Sequence, residues 1–351
     1  MIELSILQNQ LFDIKMFPVL NMPDTALQVL MAMYTFQEKI NLSLACAQAK
    51  RVLRYITLSN AVMILKVAIK FDQINHYVEI DAFDERKKYV ARWIFYKRAT
   101  DFTTEHIIGD TFVEIDLAYS YPGAGRPPLT NIQTFHVLRS AAAFIDHVQD
   151  IYQKLIVDIS FDSLSSLDLE QMPLIHRWIT RARKIKFQEC TIPDHEMLHL
   201  QELFQSHHNL IVKYSQFRFS NNFAVHSIKL RSFDRMEDFV SKNFHLFQCQ
   251  VLDFQGDFSE KEVLKIIRCW KSGRNPLLKK IKIDFFGELD KVFSPLRAKA
   301  WSEPGPRMFK LGDFELDCAD GRDVRGPQKS IGTLKYTEQY DNPALLFVVW
   351  N

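Results

Sequence analysis

The chain has 351 residues, 47% of them hydrophobic and 25% charged, which is enough to bury a sizeable core and excludes a disordered or low-complexity chain. Its 44 basic and 42 acidic residues leave a formal charge of +2, so net charge offers no argument for a nucleic-acid or anionic-membrane partner. The five cysteines, Cys46, Cys190, Cys249, Cys269 and Cys318, are odd in number and contain no C-x-x-C pair; they predict neither a disulfide framework nor a zinc knuckle and suit a reducing, intracellular compartment, cytoplasm or nucleus.

In chain order, the opening MIELSILQNQLFDIKM carries Glu3 and Asp13 and no basic n-region, so a secretory signal is not expected, and residues 1–16 are set apart as an extension. No apolar run reaches the roughly 18 residues of a membrane-spanning helix. Residues 17–58 are dense in apolar residues at helical spacing: after Pro23, Leu27, Leu30, Met31 and Tyr34 form one stripe, and further helices are predicted over Gln37 to Ser43 and Ala47 to Tyr55. Three helices this short enclose little core by themselves and need a partner, in cis or in trans. From 59 to 119 the period changes to two in VMILKVAIKF, HYVEIDAF, KKYVARWIFYK and TFVEIDLAYS, which predicts an antiparallel sheet. The Pro- and Gly-rich SYPGAGRPPLTN at 120–131 reads as a linker.

From 132 to 351 strands and helices alternate. LIVDIS, KIKFQEC, SIKLRSF, QVLDFQG and KKIKIDFFG are the strand candidates, and in pairs such as Lys184-Ile185-Lys186-Phe187 basic and apolar residues alternate, so one face points to solvent. The reading is an α+β to α/β chain whose C-terminal part is an irregular, leucine-rich-repeat-like solenoid. FELDCADGRD, with Asp320-Gly321 as a hairpin turn, SIGTLKY and ALLFVVWN supply strands that close its open end.

Few motifs suggest chemistry. HEMLH, His195 to His199, matches the H-E-x-x-H zinc pattern, but Glu202 and Gln205 stand where the extended motif needs Gly and His. Projected on a helix, Met197, Leu200, Leu203 and Phe204 form the inward stripe and His195, His199 and Glu202 face water. PGAGRPP has no Gly-Lys-Ser/Thr ending, no G-x-S-x-G elbow occurs, and RARKIK reads as a helix end running into a strand. No catalytic residue, metal or cofactor is expected, and the zinc hydrolase stays a distant alternative.

Phe17-Pro18, Met22-Pro23, Glu38 and Ile40-Asn41-Leu42-Ser43-Leu44 resemble an F-box of the large nematode-type family. IHRWITRARKIKFQEC, DFSEKEVLKIIRCWKSGRNPLLKKIKI and FELDCADGRD followed by LFVVWN are similar to the F-box-associated domain of the same family. Phe36 replaces the proline common before the second helix, and the basic triplet that often follows the Ile40 to Leu44 helix is reduced to Ala47-Gln48-Ala49-Lys50-Arg51. The resemblance implies a non-catalytic substrate receptor of an SCF-type (Skp-cullin-F-box) ubiquitin ligase. Its F-box would dock on a Skp-family adaptor, and through it a cullin scaffold, while the rest captures a protein substrate. Pro18, Leu20, Met22, Pro23, Leu27, Leu30, Ile40, Leu42 and Leu44 then include the adaptor contacts, some of them instead holding the helices together. An adaptor-independent protein-binding module is the alternative.

Overall fold

The computed structural model describes residues 22–45, 47–57, 62–71, 76–97, 106–108, 111–118, 129–152, 154–165, 172–215, 223–231, 240, 242–302, 305–338 and 343–350. They form a mixed α+β fold in two compact units, 1–157 and 158–351. Among the described residues no helix is long and apolar enough to cross a membrane.

The first unit begins with helices α1 (Asp24–Met33), α2 (Phe36–Ala45) and α3 (Ala47–Thr57). Asp24 places a negative charge in the first turn of α1, where the helix dipole favours it. At the start of α2, Thr35 N donates to Glu38 Oε2 at 2.7 Å and Glu38 N to Thr35 Oγ1 at 3.3 Å, a reciprocal cap that satisfies two otherwise orphaned amides. The strands are β1 (Val62–Phe71), β2 (His76–Phe83), β3 (Tyr89–Lys97), β4 (His106–Ile108), β5 (Thr111–Ala118) and β6 (Leu129–Thr134). They lie in the order β1-β2-β3-β6-β5-β4, all neighbours antiparallel except β3 and β6, which run parallel. The expected linker at 120–131 therefore ends inside the sheet: Leu129 to Asn131 open β6, and the rest of that segment lies outside the described residues. With β6 paired on both sides, the chain divides after helix α4 (Val137–Ile151) rather than before it.

One face of this sheet is apolar and covered. Trp93 and Phe95 on β3 are fully buried; the Trp93 ring centre lies 4.8 Å from Phe144 of α4 and 6.1 Å from Phe36 of α2. The other face carries ion pairs across the strands, Lys70–Glu79 at 2.7 Å and Arg92–Asp81 at 2.7 Å.

Strand β7 (Lys154–Asp162) spans the division between the units. The second unit continues with α5 (Met172–Arg181), β8 (Ala182–Gln188), α6 (Asp194–Leu203), β9 (Asn209–Lys213), β10 (Phe223–Arg231), β11 (Phe247–Gln255), α7 (Glu260–Lys271) and β12 (Lys280–Asp284). β8 to β12 pair in chain order and all parallel, with Lys184, Asn209, Ser227, Val251 and Lys280 in one register. Alternation sorts the two faces. Ile185, Phe187, Leu210, Val212, Ile228, Leu230, Leu252, Phe254, Ile281 and Ile283 are buried on one side, where Phe204 at the end of α6 reaches Phe187 and Phe223. A chain of ring contacts, Phe161 to Phe187, Phe204, Phe223, Phe247, Phe254 and Phe258, runs through this core with centroids 5.1 to 6.5 Å apart.

A backbone corner repeats where β7, β8 and β9 end. Ser163, Glu189 and Tyr214 each take the left-handed conformation (φ 60°, 56° and 50°). Ser163 N donates to Gln188 O at 2.8 Å, Glu189 N to Lys213 O at 2.9 Å and Tyr214 N to Arg231 O at 3.2 Å, so each corner is tied to the last carbonyl of the next strand.

Beyond α8 (Leu289–Leu296) come β13 (Lys299–Ala300), β14 (Met308–Leu311), β15 (Phe314–Asp317), β16 (Arg322–Arg325), β17 (Ile331–Thr337) and β18 (Ala344–Trp350). β18 pairs antiparallel with β12, followed outward by β17, β16 and β13, while β14 and β15 form a separate hairpin. Asp320-Gly321 is thus no hairpin turn, for β15 and β16 belong to different sheets; a Cβ on Gly321 would meet the Thr333 side chain, so close approach to β17 explains the glycine. The Arg307 guanidinium lies between Trp301 and Trp350, 4.0 and 4.5 Å from their ring centres, and pairs with Asp323 at 2.5 Å.

Candidate functional site

The sequence places its binding residues on the N-terminal helices, and the structure sorts them by burial. Pro18 and Leu20 lie outside the described residues. Leu27 and Ile40 are fully buried within the first unit, so they hold helices together. Met22, Leu30, Leu42 and Leu44 are half-buried and Pro23 is exposed. On α1, Ala26, Val29 and Met33 fall on one helical face, away from the buried Met31, with half-buried Leu30 at its margin beside Leu27; Met22 precedes the helix. Val29 is 67% and Met33 79% exposed, and on α3 Tyr55 and Ile56 are 68% and 44% exposed. Val29 and Met33, one turn apart on α1, expose large apolar side chains side by side. Val29 and Met33 are absent from the sequence-based set because its inward stripe already fits a helix at that position.

Helix α2 is bonded to its own sheet. Gln37 Nε2 donates to Thr130 Oγ1 and, at 3.2 Å, to Arg92 O; Asn41 Nδ2 donates to Thr130 Oγ1 at 3.1 Å, and Asn41 Oδ1 accepts from Trp93 Nε1 at 3.0 Å. Ser43 Oγ lies 2.8 Å from His147 Nε2 on α4, and Lys50 pairs with Asp150 at 2.8 Å. Burial, reinforced by the Lys50 charge, lowers the His147 pKa to about 4, so this imidazole is neutral near pH 7. Phe36 packs its ring 5.8 Å from Tyr152 as well as against Trp93. The partner that the short helices need is therefore in cis for α2, whereas the outward face of α1 has no described cover.

HEMLH lies on α6 as expected. His195, His199 and Glu202 are exposed, while Met197, Leu200 and Phe204 are buried and Leu203 is half-buried. The glutamate of the motif, Glu196, is 6% exposed, its Oε1 3.9 Å from His195 Nε2. Among the described residues no group of three or more His, Cys, Asp and Glu side chains is gathered as metal ligands would be.

A second surface was not anticipated as a site. The polar face of the β8–β12 sheet carries three cross-strand rows. The first is Lys184, Asn209, Ser227, Val251 and Lys280; the second is Lys186, Ile211, Lys229, Asp253 and Lys282; the third is Gln188, Lys213, Arg231 and Gln255. Several cations have acidic partners: Lys229 pairs with Asp253 at 2.7 Å, Lys186 lies 4.0 Å from Asp162, and Lys282 lies 3.9 Å from Asp284. Lys213 and Arg231 face one another and have no acidic partner among the described residues; Arg231 Nε is buried without a hydrogen bond. Partial burial, together with the charges of Arg231, Lys186, Lys229 and Lys184, holds the Lys213 pKa below the usual lysine range. Burial likewise lowers Lys280 to about 8, its ammonium lying 3.2 Å from the Phe314 ring centre. Lys213 belongs to NLIVK, the strand β9 that hydrophobic alternation misses because Leu210, Ile211 and Val212 are all apolar.

Comparison of the chain with protein-family models, curated proteins and solved structures finds no match.

Proposed function

We propose that the protein is a non-catalytic substrate receptor of an SCF-type ubiquitin ligase, an intracellular F-box protein of nematode type. The observation that carries this reading is the exposed apolar pair Val29 and Met33 on α1, bordered by half-buried Ala26 and Leu30, on a helix whose inward side is already satisfied by Leu27 and Met31. A helical partner laid on that face would bury side chains that are now wet, the usual driving force for helix-in-groove recognition. In this reading a Skp-family adaptor, linked to a cullin, binds through Met22, Pro23, Leu30 and the exposed Val29 and Met33, with Leu42 and Leu44 at the margin. The second unit, with parallel strands in chain order, repeated corners and an antiparallel C-terminal closure, would act as a leucine-rich-repeat-like solenoid that captures the substrate. The chain would act by proximity, raising the effective concentration of substrate lysines beside a ubiquitin-charged enzyme.

A second reading, an adaptor-independent binding protein, is favoured by one specific feature: α2 is committed to its own sheet through Gln37 and Asn41 and to α4 through Ser43. A pull-down of the purified chain with a Skp-family adaptor separates the two. The ligase reading expects binding by wild type and its loss in Leu30→Asp and Met33→Asp, at unchanged thermal stability for the exposed Met33 variant. No binding by folded wild-type protein would transfer the assignment to the adaptor-independent reading.

A further inference from the structure

We propose that the polar face of the β8–β10 sheet, centred on Lys213 and Arg231, binds an acidic segment of a partner protein, whose carboxylates pair with these two cations. As the substrate class of the C-terminal unit it rests on the receptor reading, although the binding itself needs no adaptor.

The argument begins with an imbalance. A folded chain normally disperses its charges or pairs them, because like charges directly opposite on neighbouring strands are destabilising. Here Lys213 and Arg231 sit opposite one another, about 4.8 Å apart across the strand pair, with Lys186 and Lys229 one row behind, roughly 6.6 Å along the strands. The chain places acids where it needs them: Asp253 answers Lys229, Asp162 answers Lys186, and Asp158 takes Arg183 through two bonds of 3.1 and 2.8 Å. Among the described residues Lys213 and Arg231 have no acidic partner, and they are flanked laterally by the neutral amides Gln188 and Gln255, hydrogen-bonding groups without charge. The buried, unbonded Arg231 Nε is a donor still to be satisfied. Nothing in the sheet's apolar packing requires these cations, because their side chains lie on the face opposite the phenylalanine core.

Size and pattern select the ligand. The cations span three strands, roughly 10 Å, the reach of three or four extended residues. Spread over two rows, they suit several carboxylates better than a single small anion. A nucleic-acid backbone would need a longer basic track than these three strands offer. Exposed Tyr214, next to Lys213, provides an aromatic edge beside the charges, and Gln188 and Gln255 offer amide donors to backbone or carboxylate oxygens. A protein segment rich in Asp or Glu answers all of these features.

The test uses the full chain and fluorescence anisotropy of labelled octaglutamate, with octalysine and an oligouridylate as comparison probes. Octaglutamate should bind, weaken as salt rises, and bind about tenfold or more weakly to Lys213→Glu/Arg231→Glu. The same charge change on helix α7, Lys261→Glu/Arg268→Glu, should leave binding within about twofold. Lys213→Gln guards against misfolding: removing a crowded cation should raise Tm by about 1–3 °C while lowering affinity, a combination that a merely structural lysine would not produce. The proposal is overturned if octaglutamate does not bind, if the α7 variant loses as much, or if oligouridylate binds as tightly. Because no adaptor is present, failure here is distinct from failure of the adaptor pull-down.

Discussion

Thr130 shows how one side chain can hold a helix to a sheet. Its hydroxyl, fully buried on β6, accepts hydrogen bonds from both Gln37 and Asn41 of α2, and Asn41 in turn accepts from Trp93. Thr130→Val keeps the shape but leaves buried amide donors unanswered, which should cost about 1–3 kcal/mol in urea unfolding. A change below about 0.5 kcal/mol would mean that the apolar contacts of Ile40 and Phe36 suffice to hold α2. At this scale the sequence is legible where a residue obeys its class. His195 and His199 face outward and Ile40 inward, as their helical positions require. It is illegible where a polar residue goes inside: Gln37, Asn41, Glu196 and His208 are all buried, and for Gln37 and Asn41 that burial depends on partners brought from β3 and β6.

Among the elements, α7 is marked most completely in sequence. Ser259 and Glu262 form a capping box, Ser259 N donating to Glu262 Oε2 at 2.8 Å, and Glu260 and Glu262 supply acidic charge in the first turn against Arg268 and Lys271 in the last. Ser259→Ala should therefore cost about 1 kcal/mol in a thermal or urea melt, and an unchanged midpoint would show that Val263, Ile266, Ile267 and Trp270 fix the helix by packing alone. Strand β9 is the opposite case. Five residues with three consecutive apolar ones have no period to read, so the strand emerges only through pairing with β8 and β10. Its omission makes the strand spacing look irregular; its inclusion brings in-register positions to roughly 18–29 residues apart, close to a leucine-rich repeat. The β3–β6 pairing was hidden for another reason: a parallel neighbour reached through an intervening hairpin has no local signature.

Across the whole molecule, one imidazole in each unit, half-buried His147 and buried His208, contributes to the response to acid. Burial and the neighbouring Lys50 depress His147, which Asp150 opposes; burial and the adjacent His207 depress His208, whose Nδ1 accepts from Gln205 N at 2.9 Å. Both lie at about 4 against an ordinary value of 6.5. Between those limits the unfolded chain binds more protons than the folded one, so the stability is fully present above pH 6.5 and declines as pH falls toward 4. Urea midpoints should fall between pH 7 and 5, and His147→Gln and His208→Gln should each flatten the slope; parallel profiles would exclude the two histidines as its source. The repeated corners after β7, β8 and β9 carry a different consequence. At Ser163, Glu189 and Tyr214 the backbone makes the tie to the neighbouring strand, and the side chain takes no part in it. Three chemically unlike residues occupy the same turn, which makes these positions a place where the rim beside Lys213 and Arg231 can be rewritten by substitution while the scaffold beneath keeps its register.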